Sequence, residues 1–149
     1  MRTLVHISDL HFGRVDEVVL EPLLAAIAAI GADVVAVSGD LTQRARKKQF
    51  EQARDFLARI AAPRIVVPGN HDVPLYRVWE RFLSPLGKYR RIVQSDLEPS
   101  YVDGEIAVLG VNTARALTFK GGRINEEQMA SIERRLRPLG EAITKVVVT

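Results

Sequence analysis

The sequence predicts an α/β fold built from βαβ units. Three observations carry that expectation. Short β-branched runs at residues 3–7, 34–37 and 65–67 are bounded by Gly, Pro or polar residues, as buried strands are. Between them lie stretches whose apolar residues recur at helical spacing. Each run then ends in a polar cluster: Ser8-Asp9, Ser38-Gly39-Asp40, and Pro68-Gly69-Asn70-His71-Asp72. Strand, helix, strand, helix, strand is the pattern of a parallel sheet.

The elements follow in order. The first helix runs to residue 30 and stops at Gly31. Pro22 is tolerated only near its first turn. The second helix is expected over residues 44–61, with Phe50, Ala53, Phe56, Leu57 and Ile60 on one stripe and charged residues opposite. Residues 73–83 hold a short helix carrying Trp79 and Phe82. Residues 91–93, 100–102 and 106–111 read as strands, the middle one ending at an Asp103-Gly104 turn. A helix over 126–136 opens at Asn125 as N-cap, and residues 145–149 read as a last strand. Trp79, Phe82 and Tyr89 are expected to pack in the core or at its rim. His6 lies opposite Val5 and Ile7 in the first strand and is expected to be a packed or hydrogen-bonded structural histidine.

Composition narrows the class. The 149 residues correspond to roughly one average domain. With 47% hydrophobic and 26% charged residues, the chain is neither disordered nor low in complexity. It has no cysteine, hence no disulfide and no thiolate metal site. No run reaches the ~18 apolar residues of a membrane span, and Asp9 and His11 come too early for a signal peptide. A cytoplasmic protein with no membrane partner is the expectation. The net charge is only +3. The densest basic run, from Arg44 to Lys48, reads as a solvated helix face in preference to a nucleic-acid patch.

The chemistry lies in the clusters. Asp9 and Asp40 are 31 positions apart, and Asp40 and Asn70 are 30 apart, one βαβ unit each time. Right-handed crossovers then bring all three clusters to the carboxyl ends of neighbouring strands, where open α/β sheets bind ligands. Asp9 and His11 can point toward one site. Asp40 and Asn70 each follow a glycine, which allows a tight turn and a close backbone approach. Carboxylates, imidazole and a carboxamide oxygen suit Mn, Fe, Zn or Mg. Asp40, in the middle, is placed to bridge two such ions. Taken singly, Asp-x-His and Gly-Asp are common turn sequences, and Asn70 could be a left-handed turn residue. Three clusters in order at unit spacing are specific.

Asp9-Leu10-His11, Gly39-Asp40 and Gly69-Asn70-His71-Asp72 resemble the first three signature blocks of the calcineurin-like metallophosphoesterase family. The resemblance covers essentially the whole chain. It implies a β-sandwich flanked by helices and a phosphoester hydrolase using two divalent metal ions and a metal-bridging water. By matched position, Asp9 and His11 would bind the first metal, Asp40 would bridge, and Asn70 would bind the second. His71 would stabilise the transferring phosphoryl group or protonate the leaving oxygen. Asp72 would orient His71 through a hydrogen bond. Two metals about 3.5–4 Å apart clamp phosphoryl oxygens for an in-line attack. The wording is similar to the branch that contains small cyclic-nucleotide phosphodiesterases, which makes a cyclic nucleotide one candidate substrate. The alternatives are a nuclease relative, or a catalytically impaired scaffold that serves a partner.

The resemblance also implies a further metal-binding His after a later strand, then a Gly-His-x-His block. The three histidines, His6, His11 and His71, fill neither role. Residues 145–149 look like the strand that leads to the first of these. The expectation is therefore one metallophosphoesterase-like domain over residues 1–149, C-terminally incomplete, with an exposed strand edge that invites association. No oligomeric state is expected from the sequence. Asn112, Thr113 and Arg115 follow another apolar run and read as a loop that could border the site.

Overall fold

The computed structural model spans residues 1–149 and describes all of them except 76–77 and 115–122, together with the side chains of 78 and 80. Its strands are β1 (Leu4–Ser8), β2 (Val34–Ser38), β3 (Arg64–Val67), β4 (Ser100–Val102), β5 (Ile106–Gly110) and β6 (Thr144–Val148). Its helices are α1 (Leu20–Ile30), α2 (Lys47–Ala58), α3 (Val78–Leu83), α4 (Gly87–Ile92) and α5 (Glu126–Leu136). The first sheet is parallel, in the order β1-β2-β3. The second has the order β4-β5-β6, antiparallel on one side of β5 and parallel on the other.

The layering follows from handedness. Two successive right-handed crossovers in the same direction put α1 and α2 on one face of the first sheet. That leaves the other face apolar and in need of cover. In β2, Val35 and Val37 join the helix-side core with Ile27, Phe50, Phe56, Leu57 and Tyr89. Val34 and Ala36 join the opposite core with Ile65, Val67, Ile106, Val108 and Val148. The second sheet therefore lies face to face with the first, and β2 is dry on both sides.

Several expectations hold. Gly31 closes α1 in a left-handed conformation at φ 66°. Asn125 caps α5, accepting from Gln128 N at 2.8 Å. The Asp103-Gly104 turn forms: Asp103 Oδ1 accepts from the backbone N–H groups of Glu105 and Ile106 (2.8 and 2.9 Å). Those bonds pull its carboxyl down to about 2.

Others do not. Residues 91–93 are not a strand; α4 continues to Ile92, and Val93 N still bonds Tyr89 O at 2.9 Å. Tyr89 is what draws this segment into the helix layer. It is fully buried, packs edge-on to Phe50, and donates its hydroxyl to Val66 O at 3.1 Å. Trp79 and Phe82 are not packed; they are 81% and 56% exposed on α3. His6 is exposed on its strand face, but Nε2 is hydrogen-bonded to Ser38 Oγ at 2.6 Å.

The second helix starts at Lys47, not at 44. Ala45 takes a left-handed φ of 48°, and the Gln49 side chain caps the turn by accepting from Arg44 N and Arg46 N (3.0 and 3.3 Å). Arg44 and Arg46 thus lie in a loop, not on a helix face. No acidic residue stands in the first turn of α2, which opens with Lys47 and Lys48 after Arg46. Each cation there opposes the helix dipole by about 0.3–1 kcal/mol.

Phe50 has no exposed surface and sits where α2, α4 and the sheet meet. Phe50→Ala should destabilise the protein by about 3–5 kcal/mol, the usual range for emptying an aromatic core position. Urea denaturation measures it; a loss below about 1 kcal/mol would contradict the packing described.

Candidate metal centre

Three loops leave the carboxyl ends of β1, β2 and β3 side by side. The first is stitched to the second by the backbone: His11 N donates to Asp40 O at 2.9 Å and Phe12 N to Leu41 O at 2.8 Å. Among the described residues, the non-glycine positions with positive φ are Asp9 (57°), His11 (45°), Asp40 (51°) and Ala45 (48°). The first three are among the four that the resemblance marks as metal ligands. Such backbone costs on the order of 1–3 kcal/mol per residue and persists only where its surroundings enforce it.

Two glycines provide the enforcement. A Cβ on Gly39 would stand 2.8 Å from Gly69 Cα, and one on Gly69 would stand 2.1 Å from Asp40 Oδ1. The loops after β2 and β3 touch backbone to backbone because neither glycine has a side chain. Asp40 Oδ1 then accepts from His71 N at 2.9 Å.

The five expected site residues gather here. Potential ligand atoms of His11, Asp40 and His71 lie within 4.8 Å of one another. The two imidazoles meet edge to face, centroids 4.8 Å apart. Asp9 Oδ1 is 3.5 Å from His11 Nε2. Asp9, Asp40 and Asn70 line a cavity of about 240 Å³ together with Thr113 and Thr149. Asn112 lies beside it, its carbonyl accepting from Gln128 Nε2 at 2.8 Å. Arg115 falls outside the described residues.

These residues fit a hard or borderline cation. His11 Nδ1 is buried and has no hydrogen-bond partner among the described residues. Leaving such a group unpaired costs about 1–3 kcal/mol. Carboxylate, imidazole and carboxamide donors without sulfur suit Mn, Fe, Zn or Mg. His71 Nδ1 lies 3.2 Å from Gln43 O. A carbonyl can only accept, so this contact places a hydrogen on Nδ1 and leaves Nε2 as the nitrogen available to exchange a proton.

Asp72 does not perform its expected role. Its carboxylate does not orient the His71 ring. It is buried and accepts from Leu41 N (3.1 Å), Thr42 N (2.9 Å), Gly69 N (2.9 Å) and the Thr42 hydroxyl (3.0 Å). It is a clamp between the two loops and positions His71 through the backbone. Burial pushes its carboxyl up to about 6, against the pull of those four donors. Thr42 and Gln43 were missed by sequence reasoning. The Thr42 hydroxyl also reaches His71 O (3.2 Å) and accepts from Ala45 N (3.0 Å). A threonine two residues after Gly39-Asp40 is a turn former, and that was the available signal.

Comparison with known proteins bears on the family and the fold. The family model described as calcineurin-like phosphoesterase matches residues 2–145. A relative named as a probable cyclic nucleotide phosphodiesterase, from Vesicomyosocius okutanii subsp. Calyptogena okutanii (strain HA), is 29% identical over 77 residues, covering 47% of this chain and 33% of that protein. A dimetal phosphatase from Danio rerio superposes with a TM-score of 0.65 at 10% identity, covering 99% of this chain and 69% of that one. The TT1561 protein of Thermus thermophilus gives a TM-score of 0.54 at 20% identity, covering 98% of this chain and 66% of that one. The chain thus spans about a third of the length of the curated relative it matches. At these identities the two solved structures show a shared fold. No helix among the described residues is long and apolar enough to cross a membrane.

Two substitutions test the geometry. Gly69→Ala keeps an allowed backbone (φ −101°) but drives Cβ into Asp40. It should weaken Mn²⁺ binding at least about tenfold by calorimetry; unchanged affinity would mean that Asp40 is not a ligand. Asp72→Asn turns an amide N–H₂ toward backbone donors and should cost about 1.5–3 kcal/mol at pH 7 in EDTA. Because the folded carboxyl titrates near 6, above its unfolded value, its proton-linked stabilisation is fully present below about pH 4 and is lost as pH rises through 6. The stability gap between parent and variant should therefore narrow over that window in urea titrations. A gap that widens would reverse the assigned sign.

Proposed function

The chain belongs to the calcineurin-like phosphoesterase family, and on that footing we propose that it hydrolyses phosphodiesters with two divalent cations held by Asp9, His11, Asp40 and Asn70. The observation that carries the reading is the convergence of the His11, Asp40 and His71 donor atoms within 4.8 Å at the ends of three parallel strands. The buried His11 Nδ1, unpartnered among the described residues, supports it. Mn, Fe, Zn and Mg all suit the donor set. When bound, such ions supply Lewis-acid polarisation of the phosphoryl oxygens and a nucleophile at neutral pH.

The remaining work falls to the chain's own groups. Asp40, which follows the central strand and accepts from His71 N, would serve both ions. His71 is the catalytic acid. Gln43 O holds the Nδ1 hydrogen, so Nε2 is the nitrogen that can carry a proton to the leaving oxygen. Asp72 keeps His71 in place through the loop and does not touch the reacting atoms. A cyclic nucleotide is one candidate substrate, as the name of the matched relative indicates for that protein.

Mn²⁺ should raise the midpoint of thermal unfolding and support hydrolysis of bis-p-nitrophenyl phosphate, and EDTA should abolish both. Asp40→Asn should lose Mn²⁺ stabilisation. His71→Asn should keep it while lowering kcat by roughly 10²–10⁴, the usual contribution of a positioned acid. Absence of any Mn²⁺-dependent stabilisation in the parent would overturn the reading.

A further inference from the structure

The largest cavity described, about 640 Å³, is not the metal cavity. Arg44, Arg46, Lys47 and Lys88 line it, with Ala45, Pro74 and Leu75. It is made from the same two loops as the metal site, one step further out. Gln43 touches the His71 ring, and Arg44 is the next residue. Pro74 follows His71 by three positions. Lys88 closes the cavity from α4.

Local costs are concentrated here. The fourth left-handed non-glycine residue, Ala45, sits between Arg44 and Arg46, is 2% exposed and is held by Thr42 Oγ1 and the Gln49 cap. The first turn of α2 gathers cations at the positive end of its dipole. Glu51 answers Lys47 from one turn further along, at 3.6 Å. An anion in the cavity would meet the side chains and the dipole together.

We infer that this cavity is a phosphate-binding subsite, and that the substrate is a phosphodiester carrying a second phosphoryl group beside the one held at the metal ligands. This substrate class rests on the hydrolase reading above; the anion site itself does not. A cyclic mononucleotide, with one phosphate, would leave the subsite empty.

The test separates the two. Inorganic tripolyphosphate is titrated into the protein in EDTA at two salt concentrations. It should bind at one site with salt-sensitive affinity. Arg46→Glu with Lys47→Glu should weaken it at least about tenfold while raising thermal stability, because carboxylates suit a helix N-terminus; Asp40→Asn should leave binding unchanged. With Mn²⁺, kcat/KM for 5′-phosphorylated dithymidine should exceed that for unphosphorylated dithymidine by about tenfold or more, as a charge-assisted contact to the second phosphate requires. The charge-reversed variant should erase that ratio and keep its rate on bis-p-nitrophenyl phosphate. Binding lost in Asp40→Asn but kept in the double variant would overturn the site. So would binding to anionic phospholipid vesicles without tripolyphosphate binding, which indicates a membrane surface. A parent ratio near one would overturn the substrate class. Charge-sensitive tripolyphosphate binding with no hydrolysis of any diester supports the anion site and defeats the hydrolase reading.

Discussion

A strand buried on both faces has no place for a polar side chain, and β2 is such a strand. Val34, Val35, Ala36 and Val37 are all essentially without exposed surface, two facing the helices and two facing the second sheet. Polar chemistry on this strand can begin only where it leaves the sandwich, at Ser38-Gly39-Asp40. The same logic holds at β3, whose apolar run ends at Pro68-Gly69-Asn70. Parallel pairing in register, Ser8 beside Ser38 and Ser38 beside Val67, then places all three exits at one end. The site lies there because nowhere else along β2 could it be wet.

Bringing the exits together is unfavourable for the backbone, and the molecule offsets this with specific contacts. Asp9, His11 and Asp40 adopt left-handed conformations without being glycine. Against that strain stand the Gly39–Gly69 contact, the two backbone bonds from His11 and Phe12, and the buried Asp72 clamp. Removing the clamp affects both loops at once, because its oxygens serve Leu41 and Thr42 on one and Gly69 on the other. Local strain and global rigidity are thus two sides of one arrangement, which fixes where Asp9, His11 and Asp40 sit.

Much of this was legible in the sequence, for physical reasons. Strands with β-branched residues and glycine-bounded ends announce themselves, and the spacing of Asp9, Asp40 and Asn70 follows from the length of a βαβ unit. Asn125 was readable because capping is local. What could not be read was decided by tertiary contact. Residues 91–93 have strand-like composition, but Tyr89 commits them to a helix by reaching Val66 O. Arg44 and Arg46 look helical until Gln49 takes their backbone hydrogens. Asp72 beside His71 invites a pairwise reading, whereas its partners Leu41 and Thr42 lie a whole βαβ unit away. Trp79 reads as core by type and is exposed by position.

The separation of about thirty residues between successive site clusters has a temporal consequence. A contact between Asp9 and Asp40, or Asp40 and Asn70, closes a long loop, and neither loop is rewarded until a whole strand pair has formed. No fragment shorter than about the first seventy residues holds Asp9, His11, Asp40 and Asn70 together, and no partly paired intermediate has them in register. The proposed cation site would therefore be assembled late in folding, once the first sheet is complete.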